Sequence, residues 1–402
     1  MGTVAGKAAR TRELWFTVHQ WIGLACLVFL VIAGATGSVL AFRPQIDALL
    51  NPNLFHAPEA EGRVLSPGAL ASRLEAERPQ AQVVLLPLSA RPGRAVAVSV
   101  APKPGAGALD YDQVFLDPAS GRILGQRATA PGWDAPHLME GFYELHARLL
   151  AGTFGRWLMG IVSGLWAAST LVGVYLTLPR AGPFWSKWKS VWTINPKARL
   201  PRLLLDLHRA SGLWLLLAGL AVSVSGCAIN FYSEAAAPAA NLLSPSKVAA
   251  LNSDAPAPPG PRTRRLDWDA AAFRASVAAE NRSGPTLKPA VASYDADDNQ
   301  YRVGFTRSGV RDYTGLGPVY WYVDAGSGQV AYADDPYRDS AGRVFLRGLY
   351  PIHSGQMLGL TGRVLALLLG LAVVEMSITG GWLWWRKRAA RKAGAKAAAA
   401  RA

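Results

Sequence analysis

Four of the six histidines in this 402-residue chain fall into two register-related pairs. His19 and His208 stand 189 residues apart, in His19-Gln-Trp-Ile-Gly23 and His208-Arg-Ala-Ser-Gly212. His146 and His353 stand 207 apart, behind Gly141 and Tyr143 in one case and Gly348 and Tyr350 in the other. Each begins, or just precedes, a long apolar run. An imidazole can move a proton, bind a metal ion or serve as an axial ligand to iron. Few carboxylates accompany these four, which disfavours a bare metal-ion site. No Cys-x-x-Cys-His occurs, which excludes covalent haem attachment. Two imidazoles facing each other across a helical bundle suit a planar macrocycle with one axial ligand on each side. Two such pairs predict two non-covalent haem b groups. His19 and His208 would ligate the iron of one, and His146 and His353 that of the other. His56 and His137 lack register partners and read as surface residues, with His137 and Met139 a fallback ligand set.

The elements that must carry these pairs are membrane spans. Apolar runs near 15–42, 157–178, 211–232 and 364–385 each reach the ~20 residues needed to cross a bilayer core. The chain is 50% hydrophobic and only 17% charged, which excludes a disordered polymer. Its net charge of +15 is accounted for by three segments, at 1–14, 180–202 and 386–402. These flank the apolar runs, so they report topology and not nucleic-acid binding. Both termini and the middle loop then face the cytoplasm. The first run is too long for a signal-peptide core and is expected to be an uncleaved anchor. Cys26 and Cys227 lie at different depths and read as packing residues. This topology puts His19 and His208 near the inner face, and His146 and His353 toward the outer face.

The chain is internally duplicated. The 189-residue shift also pairs Gly37 with Gly226, and the 207-residue shift pairs Asp117, Gly121, Gly155, Arg156 and Gly173 with Asp324, Gly328, Gly362, Arg363 and Gly380. Both halves run the same way, which implies a pseudo-two-fold axis along the membrane normal. Each outer loop reads as a small α+β module. The first has a helix at Leu65–Glu77 capped by Ser66 and strands at Gln82–Leu88, Ala95–Val100 and Gln113–Leu116. The second has a helix at Asp267–Glu280 and strands at Pro289–Tyr294, Gln300–Thr306 and Val319–Val323. Both end in an Asp…Gly hairpin, Asp117–Gly121 and Asp324–Gly328, and 235–262 reads as a linker.

Around the histidines, Gly23 and Gly212 lie one turn on, and Gly37 and Gly226 five turns on, each on its histidine's face. Missing side chains there would leave room for flat rings. Arg156 and Arg363 are expected to anchor the second and fourth spans or to hold haem propionates, with Arg148 and Arg209 weaker candidates. Asp206 is expected to cap the third helix or to orient His208. Glu375, inside the fourth span, raises a proton-relay role.

These residues resemble the PepSY-associated transmembrane family, iron-regulated inner-membrane proteins of bacteria. The likeness rests on the His19 and His208 segments, on His353-Ser-Gly followed by Gly359-Leu-Thr-Gly362-Arg363, and on the two Asp…Gly hairpins. The family implies a di-haem ferric-siderophore reductase of the ferrioxamine type. The two outer modules, with Tyr143 and Tyr350 near the outer haem as the catalytic candidates, are expected to position the ferric chelate. The expected fold is an integral membrane α-helical bundle: four transmembrane helices in two parallel repeats, with two periplasmic PepSY-like α+β modules.

The expected segments are a cytoplasmic N-terminus and first span (1–42), periplasmic module 1 (43–144), the second span (145–179) and a basic cytoplasmic loop (180–207). The third span (208–232), periplasmic module 2 (233–352), the fourth span (353–385) and a basic cytoplasmic tail (386–402) follow. The expected partners are a periplasmic ferric siderophore, a cytoplasmic flavin reductase or quinol as electron donor, and the lipid bilayer, with no nucleic acid. The competing readings are a PepSY-type binding or inhibitory module on a membrane anchor, and a ferric-siderophore permease.

Overall fold

The computed structural model describes residues 2–58, 64–247, 263–283 and 286–400. In chain order its elements are α1 (Gly2–Leu40), α2 (Arg43–Leu50), α3 (Pro52–Phe55), α4 (Pro67–Glu77), β1 (Ala81–Pro87), β2 (Val96–Pro102), β3 (Gln113–Leu116) and β4 (Ile123–Arg127). Then come α5 (Leu138–Arg148), α6 (Gly152–Thr177), α7 (Phe184–Lys189), α8 (Leu200–Trp214), α9 (Leu216–Asn230), α10 (Ala237–Leu243) and α11 (Trp268–Ser283). The chain closes with β5 (Lys288–Asp295), β6 (Gln300–Thr306), β7 (Val319–Asp324), β8 (Val330–Asp334), α12 (Ala341–His353) and α13 (Gly359–Ala399). They form two units. One is Met1–Phe42, Phe142–Ala236 and Ile352–Ala402; the other is Arg43–Gly141 and Ala237–Pro351.

The first unit is helical because its runs are apolar and free of interior proline, so every backbone group can be satisfied within the segment. Among the described residues three helical stretches are long and apolar enough to cross a membrane: Ala9–Leu40, Gly152–Thr177 and Gln356–Ala395. Their outward side chains, Leu171, Leu371 and Ile378 among them, are exposed hydrocarbon suited to lipid. The expected fourth straight span is not present. Residues 200–230 form two helices bent by 71° at Leu215, so the unit has four spans only if α8 and α9 count as one. The break costs little hydrogen bonding, since the Leu215 amide still reaches the Ser211 carbonyl at 3.1 Å and the Gly219 amide reaches Leu215 at 2.7 Å. Trp214 is also pinned, its Nε1 donating to the Trp192 carbonyl at 3.0 Å. Hydropathy is blind to this bend, because both arms are apolar.

Small residues let the helices touch. A Cβ on Gly34 of α1 would lie 2.6 Å from the Gly370 carbonyl of α13. Beside them Ser38 Oγ donates to the Leu367 carbonyl at 3.1 Å. Such close backbone approach is how helices associate where hydrocarbon surrounds both partners. Cys26 and Cys227 are both free thiols.

The second unit corrects the expectation of two separate α+β modules. Its strands form one eight-stranded antiparallel sheet, in the order β4-β3-β2-β1-β5-β6-β7-β8. Each half is a meander, and the meanders join through β1 and β5, with Leu85 opposite Ser293 and Leu86 opposite Ala292. The physical reason is edge protection: a separate module would leave β1 or β5 as an open edge, and their pairing removes both. One core serves the whole sheet. Leu70 and Leu74 of α4 and Trp268, Ala271 and Ala275 of α11 share it with Val83, Leu86, Tyr301 and Trp321. Asp269 of α11 also accepts from the Ser66 hydroxyl at 2.6 Å and the Gly68 amide at 2.9 Å, tying the two helices together.

Ser66 caps α4, accepting from the Ala69 amide at 3.2 Å. Both Asp…Gly turns form, and Gly121 and Gly328 take the positive φ (73° and 77°) that closes each hairpin. The turns feed β4 and β8, which the sequence reading lacks. The expected linker at 235–262 is helical at Ala237–Leu243, and its residues 248–262 lie outside those described.

Candidate functional site

The four register-paired histidines all belong to the helical unit, and they meet in pairs. His19 on α1 faces His208 on α8 with ring centroids 6.4 Å apart and planes crossed at 78°. His146 on α5 faces His353 at the end of α12 with centroids 6.1 Å apart and planes at 59°. The second contact is reached 17 to 18 residues beyond His19 on the unbroken α1, where Thr36 and Gly37 meet the His146 ring. At about 1.5 Å per residue that is a separation of about 26 Å along the helix. A hydrocarbon core is ~30 Å thick, so the two pairs lie toward opposite faces.

Each imidazole is held by the neighbouring helix through Nδ1. His19 Nδ1 lies 3.0 Å from the Ser169 carbonyl of α6. His208 Nδ1 lies 3.0 Å from the Met376 carbonyl of α13. His353 Nδ1 lies 3.1 Å from the Val222 carbonyl of α9, and Ser225 Oγ is at 3.3 Å. A carbonyl can only accept, so these three Nδ1 atoms carry the proton. His146 Nδ1 lies 3.0 Å from Thr36 Oγ1, which already donates to the Ile32 carbonyl at 2.6 Å and therefore accepts here. In all four rings Nε2 is thus left with its lone pair, the state a metal ligand needs.

Glycines seat the rings. A Cβ on Gly173 would lie 3.2 Å from His19 Cε1, and one on Gly380 3.2 Å from His208 Cε1. A Cβ on Gly37 or Gly226 would lie 3.0 Å from Cε1 of His146 or His353. Gly37 and Gly226 thus make room for an imidazole, where the sequence reading assigns that space to a flat ring. The difference arises because α5 and α12 lay their histidines directly on α1 and α9. Gly23 has open space around it, and the nearest atom to a Cβ on Gly212 is Met376 Sδ at 3.4 Å. Both line a mostly apolar cavity of about 630 Å³ that also holds His19, His208, Trp166, Arg209 and Lys387.

The donor set fits a macrocyclic iron. With metal–imidazole bonds of about 2.0 Å and each nitrogen about 1.15 Å from its ring centroid, two imidazoles on one iron put their centroids about 6.3 Å apart. Among the described residues no group of three or more His, Cys, Asp or Glu side chains gathers to hold a bare metal ion. The profile of the family described as the PepSY-associated TM region matches residues 16–387. The chain belongs to this family. No curated protein matches it. The matched stretch of this PepSY-associated membrane protein contains all four histidines, their acceptors and their glycine seats.

The remaining candidates have other partners. Arg156 forms a two-pronged pair with Glu234 and donates to the Asn230 carbonyl, and Trp157 Nε1 reaches Glu234 at 3.1 Å. Hydrogen bonds from Arg156 and then Trp157 hold the Glu234 carboxyl down to about 2. Arg363 Nε donates to the Ala41 carbonyl at 2.7 Å, and the guanidinium stacks on Phe42 at 4.6 Å. Arg148 pairs with Glu144 at 3.0 Å.

Asp206 neither caps a helix nor touches His208. The helix begins earlier, at Leu200 with a proline in its first turn, so Asp206 is interior to it and binds Arg209 at 2.8 Å and Arg202 at 3.0 Å. Both carboxylate oxygens of Glu375 are buried, with no hydrogen-bond partner among the described residues. Tyr143 lies on α5 in the helical unit. Tyr350 belongs to the sheet unit, its ring edge-on to Tyr313 at 5.1 Å. His137 pairs with Asp134 at 2.8 Å, Met139 is buried, and His56 contacts the Pro52 carbonyl at 3.1 Å.

Sequence reasoning missed the acceptors. Thr36 and Ser225 are related by the same 189-residue shift, and Ser169 and Met376 by the 207-residue one. The first pair could have been found as matched hydroxyls. The second acts through backbone and leaves no mark on residue type.

Proposed function

We propose that this PepSY-associated membrane protein is a di-haem b oxidoreductase that passes electrons across a bacterial inner membrane to a ferric siderophore and releases Fe²⁺. His19 and His208 would hold one haem, and His146 and His353 the other. The observation that carries the reading is that all four imidazoles have Nδ1 committed and Nε2 free, in pairs spaced for one iron each. When bound, a haem supplies one-electron chemistry at iron, tuned by its axial ligands and their hydrogen bonds.

The residues of the chain do the rest. The Ser169, Met376 and Val222 carbonyls and the Thr36 hydroxyl fix each ring's orientation and raise its basicity. The apolar wall of the 630 Å³ cavity limits water. Arg209 and Lys387, which line that cavity, are cations suited to the acid groups of a cofactor. The basic termini and middle loop favour a cytoplasmic position, which leaves the sheet unit in the periplasm. Electrons would come from a cytoplasmic flavin reductase or from quinol. One electron converts Fe³⁺ to Fe²⁺, and the lower charge loosens a hard oxygen-donor chelate.

The test is a single-turnover experiment. Purified protein is reduced with dithionite, desalted and mixed with a ferric siderophore while its visible spectrum and Fe²⁺ release are followed. The reading expects reoxidation matched by Fe²⁺, abolished in His353→Ala. A colourless protein would favour a binding module or a permease, and a reduced spectrum indifferent to the chelate would remove iron as the acceptor.

A further inference from the structure

The sheet unit contains a second built site, unrelated to the histidines. A small pocket of about 200 Å³ is lined by Leu85, Val291, Ser293, Arg302, Arg311, Tyr313 and Tyr320. Arg302 lies on β6 opposite Ser293, and its guanidinium sits over Tyr320, 3.8 Å from the ring centroid. Its Nε is buried and has no hydrogen-bond partner among the described residues. Arg311 donates to the Tyr313 hydroxyl at 3.3 Å. Arg347 backs the same Tyr320 ring at 5.3 Å, and its Nε too is buried without a partner.

The charge balance is uneven there. Elsewhere in this unit the half-buried arginines have carboxylates: Arg127 has Asp47 at 2.7 Å, and Arg264 has Glu75 at 3.2 Å. Arg343 and Arg347 share one acid, Asp334, at 2.7 and 3.8 Å. Among the described residues, Arg302 and Arg311 have no acid within ion-pair distance. A partly buried guanidinium without a counter-charge is unfavourable, and an incoming anion relieves it. Guanidinium forks match planar carboxylates in particular.

We propose that this pocket binds a carboxylate arm of an acid-bearing ferric chelate. The inference rests on the ferric-chelate reading above and narrows the substrate to chelates with an exposed acid group. Size sets the limit: drug-sized ligands fill about 300–1,000 Å³, so about 200 Å³ admits an arm and not a whole chelate. The floor of Leu85 and Val291 accepts the arm's methylene carbons, and the hydroxyl of Ser293 adds a donor beside the two arginines.

The test is equilibrium binding to the detergent-purified full chain by calorimetry. The probes are ferric citrate and a neutral ferric trihydroxamate, with wild type, Arg302→Gln, Arg302→Lys and Arg311→Gln. Ferric citrate affinity falls at least tenfold in both glutamine variants and by less in Arg302→Lys, which keeps the charge and loses the fork. The trihydroxamate binds all four alike. Equal citrate affinity in wild type and Arg302→Gln overturns the proposal. So does unchanged citrate binding with a lost or shifted haem spectrum, because the arginines would then serve the cofactor's own acid groups. A colourless wild type that still binds citrate through Arg302 supports the pocket while sinking the electron-transfer reading.

Discussion

Each imidazole is defined by what its Nδ1 touches. A donor fixed on a carbonyl or a committed hydroxyl settles the tautomer and leaves Nε2 with its lone pair. Removing such an acceptor has a known scale, roughly 10–100-fold in metal affinity. Thr36→Val therefore weakens haem retention at the His146–His353 pair by that factor and spares the other pair, as measured by haem loss to apomyoglobin.

Charge pairing at the end of α9 gives a pH prediction. The Glu234 carboxyl is depressed to about 2, so its contribution to stability is complete above the usual glutamate range and is lost as pH falls through about 2. The melting-temperature gap between wild type and Glu234→Gln should stay constant from pH 7 to 5 and narrow below pH 4. The histidine pairs and their shared offsets were legible in sequence, whereas the glycines were read as room for a flat ring and Gly37, Gly226, Gly173 and Gly380 instead seat the imidazoles. The carbonyl acceptors were not legible, because a backbone group contributes no residue type.

At the scale of elements, apolar length and basic flanks identified the spans, but the 71° bend at Leu215 had no sequence mark. Its counterpart under the 189-residue shift, Cys26, lies inside the unbroken α1. The strands β4 and β8 were missed for a local reason. β4 carries Gly125 and polar Gln126 and Arg127, a poor match to an alternating strand pattern, and Gly125 is kept small by the side chain of Leu54 packed on it. Contact between α1 and α13 rests on Gly34, Ser38 and Gly370. Gly370→Leu overpacks that seam and should cost about 1–3 kcal/mol, read as a lower melting temperature with loss of haem from both pairs.

For the molecule as a whole, the duplication was readable and its consequence was not. Two equal repeats suggested two modules, and they fuse because each would otherwise expose the same edge. Leu86, fully buried at the seam beside Ala292, tests this. Leu86→Ala should cost about 2–5 kcal/mol and speed amide exchange in β5 and β6 as well as in β1 and β2. Exchange confined to β1 and β2 would mean that the halves are independent.

Two irons, each held by one imidazole from either side, would show as a haem count per chain in the pyridine haemochrome assay. Wild type should carry two non-covalent haem b groups, and His19→Ala, His208→Ala, His146→Ala and His353→Ala should each retain one. A wild-type ratio near zero, or variants that all keep the full complement, would rule out paired haem ligation by these histidines.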